Sequence, residues 1–376
     1  MFGHVPKLIQ NKQKTLNALV LRDRDGSLGS EINSVRKEIN DLLDSEEIMW
    51  HQRSRMQWMM LGDRNTRYFH SKALDRKRKN AISRIMDENG IWHETKEGIA
   101  NVVVSYFEKL YTTSYPSHIL EITDTIPTKV SSEMNQSLIK DFTKEEVLAA
   151  LKQMHPTKAP SPDDMSAIFF QKYWDVVGND VTSMVLNVLN CNKSIVEINK
   201  TYITLVPKTK SPTKMTEYRP ISLCNVVYKL ISKVLANRLK VTLPHLITEN
   251  QSVFLSERLI TDNVLVAFEV MHYLEHKRDG KDCYMAVKLD MSKAYNRVKW
   301  GFIEKVMERM GFHERWIALV MHCISTISYS ILMNGVAYGS IIPTRGLRQG
   351  DPLSLYLFLL CTNGLSSLIN NAARNQ

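Results

Sequence analysis

Apolar residues recur at spacings of three and four along much of the chain, and at two in a few short stretches. Ile32, Val35, Ile39 and Leu42 make one stripe within residues 1 to about 50, which predicts an amphipathic helix. Helical spacing returns at Ile99, Val102, Val103, Tyr106, Phe107 and Leu110, behind Thr95 as a suitable N-cap. A capping-box spacing, Thr143-Lys-Glu-Glu146, opens another helix through Val147, Leu148 and Leu151. Further helices are predicted through Val227, Leu230, Ile231, Val234, Leu235 and Leu239, through Val264, Leu265, Phe268, Met271 and Leu274, and around Trp316 to Ile324. Phe302, Ile303, Val306, Met307 and Met310 mark one more, with Gly311 as its stop.

Strand signals are fewer. Thr201 to Val206 is a β-branched run ending in Pro207-Lys208. Cys283, Met285, Val287 and Leu289 alternate with Tyr284, Ala286, Lys288 and Asp290. That period of two predicts a strand with Asp290 at its carboxyl end, feeding the helix that follows. α/β folds place working groups at such ends. Asn-Gly pairs at 89–90 and 334–335 predict hairpin turns. Residues 112–140 are rich in Ser, Thr and Pro and read as a linker. His155 to Asp164 holds three prolines and reads as a loop, so Asp163-Asp164 is expected to serve a turn rather than a metal. Asp351-Pro352 suits the N-cap and first position of a last helix. The loop before it, Thr344-Arg-Gly-Leu-Arg-Gln-Gly350, offers backbone amides and two arginines to phosphates.

The chain has 376 residues, enough for two or three domains, and a net charge of +10. A surplus of that size favours polyanionic partners, nucleic acid first. Residues 51–84 concentrate it: Arg64, Arg67, Arg76, Lys77, Arg78 and Lys79 are interleaved with Trp58, Tyr68 and Phe69. Such a mixture suits phosphate neutralisation and base stacking. Five scattered cysteines without paired spacing speak against a disulfide framework or a zinc site. With no secretory pattern at the N-terminus and no apolar run near the roughly 20 residues of a membrane span, a nuclear or cytoplasmic address is expected.

Four blocks in order carry a resemblance: Leu205-Val-Pro-Lys208, Tyr218-Arg-Pro-Ile-Ser-Leu-Cys-Asn225, Lys288-Leu-Asp-Met-Ser-Lys-Ala-Tyr295 and Arg345-Gly-Leu-Arg-Gln-Gly-Asp-Pro-Leu-Ser354. Asn250-Gln-Ser252, Arg258-Leu-Ile-Thr-Asp-Asn263 and Leu61-Gly-Asp-Arg-Asn-Thr66 add to it. In order and spacing they resemble the reverse transcriptases of LINE-type, non-LTR retrotransposons of the plant sort, over about residues 50 to 376. The resemblance implies an α/β (α+β) fold: the fingers and part of the palm of a right-hand polymerase, behind a mainly helical N-terminal extension. The expected division is a basic extension over 1–115, a linker over 116–140 and the polymerase portion over 141–376.

The implied activity is RNA-directed DNA polymerisation. An RNA template, a DNA primer and deoxynucleotide triphosphates are the expected partners, with no membrane. Mg²⁺ is the expected cofactor, with Asp290 as its first ligand and as a catalytic residue. Lys208 and Arg219 match triphosphate-holding positions, Tyr295 the residue that senses the sugar, and Gln349 and Gly350 the loop against the incoming nucleotide. Arg345 and Arg348 are further expected nucleic-acid contacts, beside the basic stretch above. This chain departs from the family pattern at Ser161 and Asp164, which stand where glycines are expected, at Ser256-Glu257 in place of Pro-Gly, at Asn296 in place of Asp and at Leu355 in place of Pro. The family's Asp-Asp hairpin does not occur by residue 376, so the chain by itself is not expected to polymerise, and the alternative to a polymerase domain is a catalytically dead remnant that at most binds nucleic acid.

Overall fold

The computed structural model describes residues 5–23, 26–54, 66–114, 119–159, 161–249, 251–252, 255, 258–277 and 284–374. The chain divides into two compact units, residues 1–83 and 84–376. The first is helical: α1 (Val5–Arg22), α2 (Gly29–Ser54) and α3 (Thr66–Asn80). Its apolar stripe is narrow, and the buried positions among the described side chains of α1 and α2 are Val5, Ile9, Ile32 and Ile39.

The second unit opens with a short antiparallel hairpin, β1 (Ile85–Met86) and β2 (Trp92–His93). Asp87 closes its turn, because one carboxylate oxygen accepts the amides of Asn89 and Ile91, both at 2.9 Å. Thr95 then caps α4 (Lys96–Tyr111), accepting the Gly98 amide at 3.1 Å. The turn, the cap and the helix expected in this stretch are all formed.

Residues 116–140, expected as a linker, contain α5 (Ile119–Thr123) and α6 (Ser132–Ile139), and bury Ile126, Val130 and Leu138. Thr123, Thr125 and Thr128 bond to backbone carbonyls, and Ser131 caps α6. Arg238 fastens the end of this segment. Its guanidinium grips both carboxylate oxygens of Glu146, at 2.7 and 2.9 Å, donates to the Leu138 carbonyl and lies 3.6 Å from the centre of the Phe142 ring. Glu146 also completes the capping box of α7 (Lys144–Lys152).

Around these lie α8 (Ala167–Lys172), α9 (Trp174–Cys191) and α10 (Val226–Leu246). α10 is buried on most of its circumference, at Tyr228, Leu230, Ile231, Ser232, Val234, Leu235, Leu239, Leu243 and Leu246. A helix so apolar all round belongs at the centre, and α6, α7, α9 and the last helix all pack against it. Between α9 and α10 run β3 (Lys200–Pro207) and β4 (Tyr218–Cys224).

After α10 come α11 (Ile260–His276), the single turn α12 (Ala294–Arg297), α13 (Trp300–Met310) and α14 (Glu314–Ser325), then β5 (Ser328–Met333), β6 (Val336–Ile341) and α15 (Pro352–Arg374). The sheet has the order β4-β3-β5-β6, with β3 and β5 parallel and the outer pairs antiparallel. Gly311 ends α13 at φ 89°, and Asn334-Gly335 turns between β5 and β6 with φ of 52° and 90°, as their sequence signals require. α15 is long and apolar enough to cross a membrane by length and composition. Here Leu353, Leu357, Leu360 and Gly364 are buried, and the helix packs on α10 and α13, so it serves as a core helix.

The strand expected over 283–290 is not formed. Residues 284–290 have no regular structure and are exposed, Met285 at 84% and Leu289 at 69%. Alternation supplies one apolar face, but a strand also needs a neighbour for its amides and carbonyls, and no described strand pairs with this one. α11 forms as expected, yet its Val264, Leu265, Phe268 and Met271 are exposed as well.

The loop at 155–164 follows turn chemistry. Asp163 accepts the Ser161 hydroxyl at 2.7 Å and the Met165 amide at 3.0 Å. Asp164, where the family pattern has glycine, takes a left-handed φ of 56°. Asp164→Gly is therefore expected to stabilise the chain by up to about 1 kcal/mol, the relieved strain less the extra entropy that glycine loses on folding. Urea unfolding checks this; a lower midpoint in the variant would contradict it.

Candidate nucleotide and nucleic-acid site

The β3–β4 hairpin carries the first two expected contacts. Its register sets Val206 opposite Arg219 and Pro207 opposite Tyr218. Val206 and Arg219 are both exposed while Leu205, Tyr218 and Pro220 are buried, so strand alternation turns Arg219 to solvent. Lys208 lies two residues beyond Val206 and is exposed too. Its amide donates to the Glu217 carbonyl at 2.8 Å and its ammonium to the Thr216 carbonyl at 3.1 Å. Glu217, the nearest acid in the connection, is turned to the backbone. The amides of Thr213 and Lys214 bind its carboxylate and hold its pKa below the usual range. Two cations therefore share one end of the hairpin.

The loop before α15 docks on the same hairpin. The Ser222 amide donates to the Gln349 carbonyl at 3.0 Å. Gly350 has φ 115°, and a Cβ there would lie 3.3 Å from the Ser222 carbonyl oxygen. Both facts demand glycine. Leu347 reaches the other way, its amide donating to the Tyr295 carbonyl at 2.7 Å. Tyr295 is half-buried on α12, stacked on Phe358 with ring centres 4.5 Å apart. The neighbouring Asn296 donates from Nδ2 to the Tyr111 hydroxyl at 2.8 Å. The loop that carries Gln349 and Gly350 is thus tied to β4, the strand of Arg219, and through Leu347 to α12, which bears Tyr295.

Arg348 corrects an expectation. The basic, glycine-rich loop makes it an expected nucleic-acid contact, but it is 2% exposed and points inward. Its guanidinium pairs with Asp351 at 3.1 Å, donates to Asn199 Oδ1 at 2.6 Å, to Thr201 Oγ1 at 3.3 Å and to the Cys323 carbonyl at 3.2 Å, and lies 3.8 Å from the centre of the Tyr228 ring. Asp351 accepts the Tyr228 hydroxyl at 2.9 Å, the Ser232 hydroxyl and the Leu353 amide at 3.1 Å. It is the expected N-cap, and also the counter-charge of a buried arginine. Burial raises the Tyr228 phenol well above its ordinary pKa. No sequence signal separates Arg348 from the half-buried Arg345, because a basic residue in a glycine-rich loop reads the same whichever way it faces.

Asp290 lies within the exposed segment and belongs to no strand. Among the described residues, no three acidic, imidazole or thiol side chains converge where a metal ion would sit. One carboxylate does not hold two divalent cations against their mutual repulsion, so the described residues do not fit a two-ion site. Of the basic stretch, Arg76, Lys77, Arg78 and Lys79 are exposed on the last turns of α3. Arg64 and the side chain of Arg67 lie outside the described residues.

Three cations beside Arg345 carry no expectation from the family pattern: Lys293, Arg297 and Lys299. The available signal was three bases within seven residues and no acid among them. Lys293 takes a left-handed φ of 53°, and its ammonium sits 4.2 Å from the centre of the Tyr106 ring without a hydrogen-bond partner.

Comparison with known proteins agrees with the blocks. Residues 206–376 match the family described as reverse transcriptase (RNA-dependent DNA polymerase). That segment is a reverse transcriptase sequence. Relatives that it matches are transposable-element proteins. The chain is 28% identical over 312 residues to the Transposon TX1 uncharacterized 149 kDa protein of Xenopus laevis, which covers 82% of this chain and 23% of that protein. It is 25% identical over 252 residues to the retrovirus-related Pol polyprotein from type-2 retrotransposable element R2DM of Drosophila melanogaster, covering 65% of this chain and 23% of that protein. A short stretch of 41 residues is 58% identical to the uncharacterized mitochondrial protein AtMg01250 of Arabidopsis thaliana, or 11% of this chain and 34% of that one. The chain spans about a quarter of the length of the two retrotransposon relatives. The reverse transcriptase segment contains β4, the docked loop and α12.

Two outcomes follow from the site. Asp351→Ala leaves the Arg348 charge buried and unpaired, and is expected to cost about 3–5 kcal/mol of stability in urea unfolding, with Asp351→Asn costing less. A cost under about 1 kcal/mol for the alanine variant would show that water reaches Arg348. Lys293 provides a pH test. Burial, and then the charge of Arg297, lower its pKa from 10.5 to about 8. Below pH 8 the ammonium is charged in both the folded and unfolded chain, and its burial weighs fully against folding. Above pH 8 the folded chain sheds the proton first, so stability rises until the unfolded chain sheds its own near 10.5. The stability difference between the wild type and Lys293→Gln is expected to shift in favour of the wild type from about pH 8 to 10; a difference independent of pH contradicts this.

Proposed function

We propose that the chain supplies the fingers and part of the palm of an RNA-directed DNA polymerase, the kind of enzyme whose segment it carries. The observation that supports this most is the docking of the loop of Gln349 and Gly350 on β4, the strand of Arg219, and its tie through Leu347 to the turn that bears Tyr295. Those four residues come from three separate blocks of the sequence. Cations on the hairpin and an aromatic ring on α12 are groups that would suit a deoxynucleotide triphosphate. In this reading Lys208 and Arg219 bind the triphosphate, Gln349 and Gly350 lie against the nucleotide, and Tyr295 stands at the sugar. An RNA template and a DNA primer are the proposed macromolecular partners, with α3 and Arg345 as backbone contacts. Scattered cysteines favour a reducing compartment, nucleus or cytoplasm.

Mg²⁺ is the proposed cofactor and Asp290 its proposed first ligand. Further carboxylates are needed before such ions could be held. A second reading therefore has an observation of its own: Asp290 lies on an exposed segment outside any strand, and among the described residues it belongs to no cluster of three or more possible metal ligands. In that reading the 376-residue chain binds a primed template but does not extend it.

Primer extension on an RNA template with Mg²⁺, run beside a binding assay on the same primed template, tests both. The expected outcome is binding without incorporation. Template-dependent incorporation that disappears in Asp290→Ala would overturn the second reading and establish the first for this chain. Absence of both binding and incorporation would count against either.

A further inference from the structure

Residues 295–299 and 345–347 run side by side. The Leu347 amide donates to the Tyr295 carbonyl and the Gly346 amide to the Val298 carbonyl, both at 2.7 Å, and Lys299 pairs with Arg345 in an antiparallel bridge. This pairing sets two cations abreast. The end of α4 and the residues after it hold them there: Arg345 Nε donates to the Leu110 carbonyl at 2.9 Å, and the Lys299 ammonium donates to the Ser114 carbonyl and hydroxyl at 2.5 and 3.1 Å. Arg297 lies two residues before Lys299 and is exposed. Lys293 lies at the start of the same turn, its ammonium over the partly exposed Tyr106 ring.

The four charges feel one another. After burial, Arg297 is the next influence that lowers the pKa of both Lys293 and Arg345, and Arg345 is the next for Lys299. Among the described residues, no carboxylate lies within ion-pair distance of any of them. Gathering four like charges and shielding one ammonium without a partner is unfavourable for the free protein. The arrangement becomes favourable when a multiply charged anion lies across it.

We infer that Lys293, Arg297, Lys299 and Arg345, with Tyr106, form a site for the phosphodiester backbone of a single-stranded nucleic acid. The inference rests on the polymerase reading above and adds a strand-binding surface to it. The cations follow a strip of paired backbone rather than converging on one point, which suits successive phosphates. An aromatic ring set among cations suits a sequence-tolerant strand contact.

The test uses the 376-residue chain and a fluorescently labelled single-stranded RNA of about 20 nucleotides, a length chosen to exceed the site sizes of single-strand binders. Anisotropy is measured over a range of salt. Each phosphate that the protein no longer neutralises reduces the slope of log affinity against log salt by about 0.7 for a single strand. The double variant Arg297→Gln/Lys299→Gln is therefore expected to bind with a slope lower by about 1.4. Arg297→Glu, at an exposed position that folding tolerates, is the second variant and is expected to weaken binding at low salt. An unchanged slope in the double variant together with unchanged affinity in Arg297→Glu, while the wild type binds, would overturn the site and leave the polymerase reading standing. No salt-dependent binding by the wild type would overturn both. Inorganic triphosphate serves as competitor: if the variants lose affinity for it while their RNA slope is unchanged, the cluster binds a nucleotide tail and the strand site is overturned.

Discussion

The buried pair of Arg348 and Asp351 is the interaction on which the second unit depends. Arg348 ties the start of β3 and the end of α14 to the loop, through Asn199, Thr201 and the Cys323 carbonyl. Asp351 ties α10 to the start of α15, through Tyr228, Ser232 and the Leu353 amide. Gln349 and Gly350 lie between the two charges in sequence, so their backbone has little freedom once both side chains are seated. The loop that meets the nucleotide in the proposed reading is therefore shaped from beneath. Replacing such a pair by apolar residues is often tolerated for stability, yet here it would release the loop from four elements at once.

A second constraint is what the fold leaves uncovered. α11 and residues 284–291 expose Val264, Leu265, Phe268, Met271, Tyr284, Met285, Val287, Leu289 and Met291. They do meet each other at one end, where the Lys277 ammonium lies 3.7 Å from the centre of the Tyr284 ring and the Tyr273 and Tyr284 rings stand 6.5 Å apart. Apolar side chains in such number are unusual on a free surface. They contrast with α10, whose apolar residues of the same kinds are almost all buried.

Local features were legible in the sequence and non-local ones were not. The turns at 89–90 and 334–335, the caps at Thr95, Thr143 and Asp351, and the stop at Gly311 depend on neighbours within a few residues, and all are as expected. The order of the blocks also pointed to the reverse transcriptase segment. The strand over 283–290 failed because a period of two reports a face and says nothing of a partner. Arg348 was misplaced for a related reason: its partners come from residues 199–201, 228, 323 and 351, and only the folded chain brings them together. The expected linker is held in the same way, by partners from far along the chain, Arg238 at its end and residues 309–311 before that. The charge strip beside Tyr106 was present as residues, but its meaning came from the pairing of 295–299 with 345–347.

The order β4-β3-β5-β6 has a consequence for how the chain is made. β3 and β4 are close in sequence and can zip as soon as they emerge from the ribosome. The other edge of β3 pairs in parallel with β5, Lys200 opposite Ser328, and that partner is synthesised much later. At roughly 5–20 residues per second, the nascent hairpin presents a bare edge for on the order of ten seconds. An unpaired edge is a template for the wrong strand, including that of another nascent chain. β3 carries Lys200 at its beginning and Pro207-Lys208 at its end, and both residue types discourage such pairing. In the proposed reading Lys208 later binds a nucleotide; during synthesis the same charge would act as a guard.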